Sequence, residues 1–365
     1  MKILALCSYP VEAAATRYRL IQYIEPLKEF GIELEVSPFL DSEAFRDFYS
    51  TGGIHRKVSS ILAGVARRIG ELIYGRRYDL LVVQREAMFF GPAIFEYLYA
   101  TVKKLPMVLD LDDATYLSYV SPSYGRMGSW FKFFGKTDRL IKRSAGVVCG
   151  NRFIAEYAEK FGVETVVMPT IVDTGVFDPT ERTNAVPVIG WIGTHSTYPF
   201  LEALFPVLKR LAESYEFSLR IVGSGSATPN IKGVIVDDRK WSLSREIEDF
   251  NTLDIGLYPM FEHRAADNEW IMGKSGFKAI QYMSAGVPFV ITPIGVAAEL
   301  GVAGATHFEA NSEDDWYNAL SKMLADPDLR KKMASAGREY ALVHFSVENF
   351  AGRLAAVFRN VCARQ

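Results

Sequence analysis

The chain has 365 residues, 49% of them apolar and 23% charged, with a formal net charge of -2. A single hydrophobic core rarely grows beyond roughly 250–300 residues, so two domains are expected. The ordinary balance excludes disordered, collagen-like and fibrous chains, and the near-neutral charge excludes a protein whose main task is coating nucleic acid.

Ile3–Cys7 is the first apolar run, and it stops at Ser8-Tyr9-Pro10. It is too short for a signal-peptide core and suits a buried first strand. Three scattered cysteines, Cys7, Cys149 and Cys362, fit neither a disulfide framework nor a zinc site and point to a reducing compartment. No uncharged run approaches the ~20 residues that span a bilayer. A soluble, cytoplasmic protein is expected.

The loop Ser8–Thr16 leads into a helix with Leu20, Ile24 and Leu27 on one face, closed by Gly31. Glu33–Val36, Leu80–Val83, Met107–Leu109, Gly146–Cys149 and Thr165–Met168 read as further strands, several compact enough to be covered on both faces. Alternation of strand and helix implies a parallel, doubly wound sheet. Pro169–Ala185 breaks the rhythm as a linker, and then Val188–Gly193, Ser218–Gly223, Val234–Val236, Asp254–Leu257 and Phe289–Ile291 restart it. The boundaries drawn are 1–180 and 181–345, with a terminal helix over 346–365, carrying Phe350, Leu354 and Val357, crossing back to the first domain. Two such sheets leave a cleft between them, and ligands of open α/β sheets bind outside the carboxyl ends of the strands.

Gly273 and Gly276 flank a turn that feeds a short helix, ended by Gly286 with Pro288 beyond it. Backbone N–H groups at Ser275, Gly276 and Phe277 would bind phosphate oxygens, with Lys274 and Lys278 one turn apart on the same side and Gln281 on the neighbouring face. The alternative is a solvated lysine pair on an amphipathic helix. Asp110-Leu111-Asp112-Asp113 ends a buried strand, and its carboxylates fit a divalent cation, a substrate hydroxyl or acceptor contact, or a structural cap. Arg17 and Arg19, after the first strand, suit a phosphate bidentately or a salt bridge, and Arg85 on the same rim is a candidate of the same kind. Gly223-Ser224-Gly225 superficially suggests dinucleotide binding but lacks the third glycine. Trp241 and Ile235 would border a base, and His195 is the histidine best placed on a rim loop.

The stretch His55–Arg143 is basic. It runs from Arg56, Lys57, Arg67 and Arg68 through Arg76, Arg77, Lys103 and Lys104 to Lys132, Lys136, Arg139, Lys142 and Arg143. Trp130, Phe131, Phe133 and Phe134 stand beside the later cluster, so either an anionic membrane surface or the protein's own sheet is the partner of this basic, aromatic segment.

Gln281-Tyr282-Met283-Ser284-Ala285-Gly286-Val287-Pro288-Phe289-Val290 resembles the second part of the donor-binding motif of GT-B glycosyltransferases, in particular the large family 4 of retaining enzymes. Lys274-x-Gly276-Phe277-Lys278-x-x-Gln281-Tyr282-Met283 is similar to a subgroup tied to bacterial surface polysaccharides. Further resemblance runs through Pro169–Phe177, Gly190–Gly193, Asp254–Pro259 and Thr292–Val296. The two motif glutamates fall on Gly273 and Gln281, a family histidine on Asp112, and the family's diphosphate-clamping Arg and Lys on the loop Gly193-Thr194-His195-Ser196-Thr197.

What the resemblance implies is a GT-B fold of two Rossmann-like domains around a cleft, closing on a hinge near Asp173–Thr183. Lys274, Lys278 and Asp112 would carry catalysis. Gly193, Thr194, Ser196, Thr197, Gly223, Gly225, Ser275, Gly276, Phe277 and Gln281 would hold the nucleotide-diphosphate sugar, with no metal or other cofactor. Arg17, Arg19, Asp113 and Arg85 would face the acceptor or a phosphate. The partners expected are a nucleotide sugar, a glycan or polyprenyl-diphosphate-linked acceptor and an anionic membrane surface, but no nucleic acid. The competing readings are a catalytically silent glycan-binding or scaffold subunit and a sugar-nucleotide epimerase on the same fold.

Overall fold

The computed structural model describes residues 1–49, 53–74, 77–118, 131–261 and 265–364. The chain forms two compact units. One gathers Met1–Thr170, Gly273–Ser275 and the chain from Val347 on; the other gathers Ile171–Met272 and Gly276–Ser346.

The first unit is built on six parallel strands: β1 (Lys2–Cys7), β2 (Glu33–Pro38), β3 (Leu80–Gln84), β4 (Met107–Leu111), β5 (Gly146–Cys149) and β6 (Thr165–Val167), in the order β2-β1-β3-β4-β5-β6. Strands β3, β4 and β5 are buried at every residue, so even Gln84 and Asp110 are inside. The helix expected after β1 is three pieces. α1 (Ala14–Arg19) gives way to a 3₁₀ turn at Ile21–Tyr23 and then to α2 (Ile24–Lys28). Pro26 has no N–H to bond back across that junction, which is why the helix does not run through. Gly31 closes α2 with φ +70. Next come α3 (Ser42–Tyr49), α4 (Ile54–Tyr74) and α5 (Ile94–Thr101). The terminal helix Val347–Ala363 packs on α2, burying Phe350, Leu354 and Phe358.

The second unit has β7 (Val188–Ile192), β8 (Ser218–Val222), β9 (Ile235–Arg239), β10 (Ile255–Tyr258), β11 (Phe289–Ile291) and β12 (His307–Glu309), all parallel, in the order β12-β11-β10-β7-β8-β9. That is the classic dinucleotide-fold order, with its topological switch between β7 and β10. β12 has no counterpart in the apolar pattern of the sequence, because only His307 of its three residues is buried. The linker belongs to this unit from Ile171 onward, earlier than the boundary at 180. Phe177 is buried against Phe250 at 5.7 Å between ring centroids, and Arg338 donates to the Phe177 and Thr174 carbonyls.

The helix Phe277–Ser284 is buried from Ala279 to Ser284, which sets aside the solvated amphipathic alternative. Tyr282 plants its hydroxyl on the Gly190 and Leu257 carbonyls. A Cβ at Gly256 would lie 2.6 Å from the Tyr282 ring, so the missing side chain lets the helix settle on the sheet.

Candidate functional site

In the second unit the loops leaving β7 and β8 meet. A Cβ on Gly223, whose φ is +83, would stand 2.5 Å from the Gly193 carbonyl oxygen, so only glycine allows this approach. Thr197 organises the β7 loop, its Oγ1 accepting from Thr194 N–H at 3.2 Å, while Thr194 Oγ1 and Ser196 Oγ lie 2.9 Å apart. Thr194, His195, Ser196 and Gly225 are exposed. Among the described residues, the N–H groups of His195, Ser196 and Gly225 have no acceptor within the chain. The result is a rim of uncharged donors at the carboxyl end of the switch strand. Trp241 borders Gly223, but Ile235 does not border this rim: it pairs with Ser218 at the amino end of β8 and is 71% exposed.

Gly276 adopts φ +65, and a Cβ there would meet Leu300 Cδ1 at 2.5 Å. The turn before Phe277 therefore requires glycine, as the sequence indicated. Lys278 Nζ donates to Gln281 Oε1 at 2.8 Å and lies 5.3 Å from the centre of the Phe250 ring. Gln281 is fully buried, and its Nε2 has no partner among the described residues. Two residues that sequence reasoning missed fix the other end of this helix. Arg182 donates to the Ala285 and Gly286 carbonyls and Arg338 to the Ser284 carbonyl, cations where the last turn leaves acceptors open. Both are single arginines without a motif, so no local signal marks them.

The expected lysine pair is not a pair. Lys274 precedes the helix and groups with the first unit, where its Nζ lies 3.5 Å from Asp113 Oδ2 and its carbonyl accepts from Asn151 Nδ2 at 2.8 Å. Gly273, at the position of the first family glutamate, passes so close to Ala114 that a Cβ would come within 2.3 Å of that residue's Cβ. No side chain fits there.

The first unit's rim is charged and self-satisfied. Arg19 is a correction to the phosphate-facing reading: it is buried, its guanidinium clasping Asp110 and donating to the Met168 carbonyl at 2.6 Å. Arg17 also turns inward and donates to the Val11 and Glu12 carbonyls at 2.9 Å each, bracing its own loop. Arg85 grips Asp112 through Nε at 2.5 Å and Nη2 at 2.6 Å, and reaches Asp113 at 3.0 Å. Gln84 Nε2 adds a third donor to Asp112 at 3.1 Å. Arg85 takes φ +61, an uncommon backbone for an arginine, at the end of β3. Burial works against ionising Asp112, but Arg85 and Arg19 overcome it and hold its pKa below the ordinary carboxylate value. Asp112 is thus an anion fully engaged by the chain, and Asp113 is the more accessible carboxylate of the pair. Among the described residues no group of three His, Cys, Asp or Glu is arranged to hold a metal ion.

The basic stretch also divides. Arg68 is fully buried, bonded to the Cys7, Ser37 and Ala87 carbonyls and to Glu71. Lys136 is buried as well, on Glu86 at 2.7 Å and the Met88 and Gly91 carbonyls. Phe131 and Phe133 are exposed, but Phe133 has φ +55 and the helix starts only at Lys136, so the aromatic cluster and the helix are separate features. Arg76 and Trp130 lie outside the described residues.

Residues 186–326 match the family described as glycosyl transferases group 1. No curated protein matches the sequence. Among solved structures, the chain is similar to a glycosyltransferase from Rickettsia africae ESF-5, with 16% identity, a TM-score of 0.66 and coverage of 99% of this chain and 98% of that one. It is similar to sucrose-phosphate synthase from Thermosynechococcus elongatus, with 13% identity, a TM-score of 0.67 and full coverage of both chains. It is also similar to Anabaena HepE in complex with UDP-glucose, with 14% identity, a TM-score of 0.65 and coverage of 99% and 100%. At such identity the likeness is one of fold, and the fold is GT-B.

Proposed function

We propose, because residues 186–326 match the glycosyl transferases group 1 family, that this protein moves a sugar from a nucleotide-diphosphate donor to a glycan or lipid-linked acceptor. In this reading it works with retention of configuration and without a metal, in the cytoplasm at the inner face of the membrane, in bacterial surface polysaccharide or glycoconjugate synthesis. The observation that carries the reading is the glycine-on-glycine contact of the β7 and β8 loops, beside the switch strand β7, which leaves N–H donors at the carboxyl end of the sheet. HepE, of the same fold, is described with UDP-glucose.

The anomeric carbon loses its bond to the diphosphate oxygen and gains one to the acceptor oxygen, and the acceptor proton passes to the leaving phosphate. Negative charge grows on the diphosphate, so fixed dipoles are worth most there. The donors of His195, Ser196 and Gly225 supply them in the second unit, with Lys278 as the cation and Gln281 Nε2 as a donor left for the ribose. The carboxylates Asp110 and Asp112 are bound by arginines and provide no vacant metal ligand set. One observation favours a second reading, a silent glycan-binding subunit: neither motif glutamate is present, Gly273 having no room for a side chain.

Calorimetry against UDP, GDP, ADP, CMP and dTDP, followed by donor-sugar hydrolysis, separates the two. Submillimolar binding of one nucleotide with slow hydrolysis of its sugar conjugate is expected, and Lys278→Ala should weaken that binding at least about tenfold, a loss of about 1.4 kcal/mol. No nucleotide binding at all would leave the silent subunit. Unchanged binding by the lysine variant would remove Lys278 from the site.

A further inference from the structure

The helix Phe277–Ser284 ends against the linker of its own unit. Backbone N–H groups of Ala285, Val287 and Gly286 donate to the carbonyls of Gln281, Tyr282 and Met283. The next three carbonyls have no backbone donor among the described residues, and an arginine fills each of them. Ser284 accepts from Arg338 Nη1 at 2.6 Å, Ala285 from Arg182 Nη2 at 2.7 Å and Gly286 from Arg182 Nη1 at 2.9 Å. The same two side chains hold the linker. Arg182 belongs to it, and its Nε donates to the Asn251 carbonyl at 3.1 Å, while Asn251 Nδ2 donates to the Asp178 carbonyl at 2.9 Å. Arg338, on the helix Pro327–His344, donates to the Phe177 carbonyl at 2.8 Å and to the Thr174 carbonyl at 2.9 Å. A Cβ on Gly286, whose φ is +58, would lie 3.2 Å from Pro179 Cγ, so the stretch Thr174–Arg182 crosses the helix end in close contact.

Neither cation meets a buried counter-charge. Among the described residues Arg182 bonds only carbonyls, and Arg338 adds Asp178, whose side chain is 76% exposed. Burial lowers the pKa of both arginines, with Asp254 and Asp178 offsetting only part of the effect. A neutral amide could satisfy one of these carbonyls without burying a charge. A guanidinium is favoured over it where several carbonyl dipoles point the same way, as they do at the last turn of a helix.

Two short routes lead from this strap to Lys278. In one, Arg182 holds Ala285, the Ala285 N–H donates to the Gln281 carbonyl at 2.9 Å, and Gln281 Oε1 accepts from Lys278 Nζ at 2.8 Å. In the other, Phe177 of the linker packs on Phe250 with ring centres 5.7 Å apart, and Lys278 Nζ lies 5.3 Å from the centre of the Phe250 ring. A lysine stem is flexible and carries no aim of its own. Gln281 and Phe250 give it one, and both are braced by the linker. We propose that Arg182 and Arg338 are positioning residues for the donor: strapping Thr174–Arg182 across the last turn, they hold Gln281 and Phe250 and through them aim Lys278 at the diphosphate. Neither arginine touches the ligand. This deepens the donor-binding reading above and rests on it.

A double-mutant cycle read by calorimetry tests it, with whichever of UDP, GDP, ADP and dTDP binds the native protein. Arg182→Gln should weaken that nucleotide at least about fivefold on its own but less than about twofold in Lys278→Ala, because a positioning residue loses its effect once the group it aims is gone. Arg182→Lys, which keeps a cation on the last turn, should recover the native affinity to within about twofold. A lower melting temperature with unchanged affinity of the folded protein would make the arginine a structural bond only and overturn the proposal. An equal loss in both backgrounds, or no recovery by Arg182→Lys, overturns it as well. Should Arg182→Gln not fold, Arg338→Gln carries the same cycle, since it releases a different carbonyl. A native protein that binds no nucleotide would bring down the donor reading and this proposal with it, whereas native binding that Arg182→Gln leaves unchanged removes the proposal alone.

Discussion

At the carboxyl ends of β3 and β4 the first unit sets Arg19 and Arg85 against Asp110, Asp112 and Asp113, whereas at the carboxyl ends of β7 and β8 the second unit presents glycines and hydroxyls with N–H groups turned to solvent. Both rims occupy the position where doubly wound sheets take ligands. The charged rim looks more functional in sequence, yet its arginines are already spoken for. A buried charge must be paired to be tolerated at all, so a strand-end carboxylate inside a sheet recruits the nearest guanidinium. Backbone donors pay no such tax, and the less conspicuous rim keeps its binding capacity open.

The sharpest way to break this contrast is Arg19→Met. It leaves Asp110, 5% exposed, without its guanidinium. Removing one partner of a buried pair typically costs about 3–5 kcal/mol, so the urea midpoint should fall sharply, with nucleotide affinity of the folded fraction unchanged. Adding Asp110→Leu should restore most of the loss. A stable single variant that had lost acceptor turnover would mean that Arg19 faces the ligand after all.

Acid titration sharpens the contrast from the other side. His307 is buried, stacked on Phe289 at 5.0 Å with Nδ1 2.8 Å from Thr306 Oγ1, and burial lowers its pKa from 6.5 to about 4. Between those values the unfolded chain takes up a proton that the folded one refuses. Stability is therefore full above pH about 6.5 and declines as pH falls towards 4, by up to about 3 kcal/mol. Asp112, held below the ordinary carboxylate value, contributes stability that is lost only at still lower pH. Asp112 is thus not the source of mild-acid sensitivity. Urea melts at pH 7 and pH 4.5 should show the decline in the native protein and a flatter response in His307→Gln. Equal slopes in both would place the sensitive group elsewhere.

Two glycine variants rank next. Gly223→Ala meets both a left-handed backbone, φ +83, and the Gly193 carbonyl at 2.5 Å, while Gly225→Ala meets φ +67 but nothing nearer than 3.8 Å. The left-handed term is about 1–2 kcal/mol in each, so the excess loss in Gly223→Ala measures the loop-on-loop contact. Both melts and nucleotide titrations should show Gly223→Ala as the worse of the two. Equal losses would mean that the two loops part without consequence.

The sheets were legible because their strands are buried on both faces and read as unbroken apolar runs; Leu80–Val83 and Phe289–Ile291 are found where the sequence puts them. β12 was not, since a three-residue edge strand with one buried side chain leaves no pattern. The glycine of the turn before Phe277 was legible because φ +65 at Gly276 permits little else. Partners across the fold were not. Nothing near Arg19 in the chain announces Asp110, 91 positions away, nor does anything near Arg338 announce the Phe177 carbonyl, 161 away. A charged residue shows its chemistry in sequence but not its counter-charge, so Arg19 read as phosphate-facing or salt-bridged alike, and only the fold supplies Asp110.

The smallest expected effect is also the most specific to the open rim. Ser196 is exposed, and its hydroxyl contacts only Thr194 Oγ1, at 2.9 Å, among the described residues. Ser196→Ala should shift stability by less than about 0.5 kcal/mol, the usual range for such surface positions. If that hydroxyl supports the diphosphate, one hydrogen bond of about 1 kcal/mol is lost, which calorimetry would read as roughly fivefold weaker nucleotide binding. The corresponding nucleoside, lacking phosphates, should bind both proteins alike. Weaker nucleoside binding would put Ser196 at the base or ribose, and an unchanged nucleotide affinity would leave the phosphates to the backbone N–H groups alone.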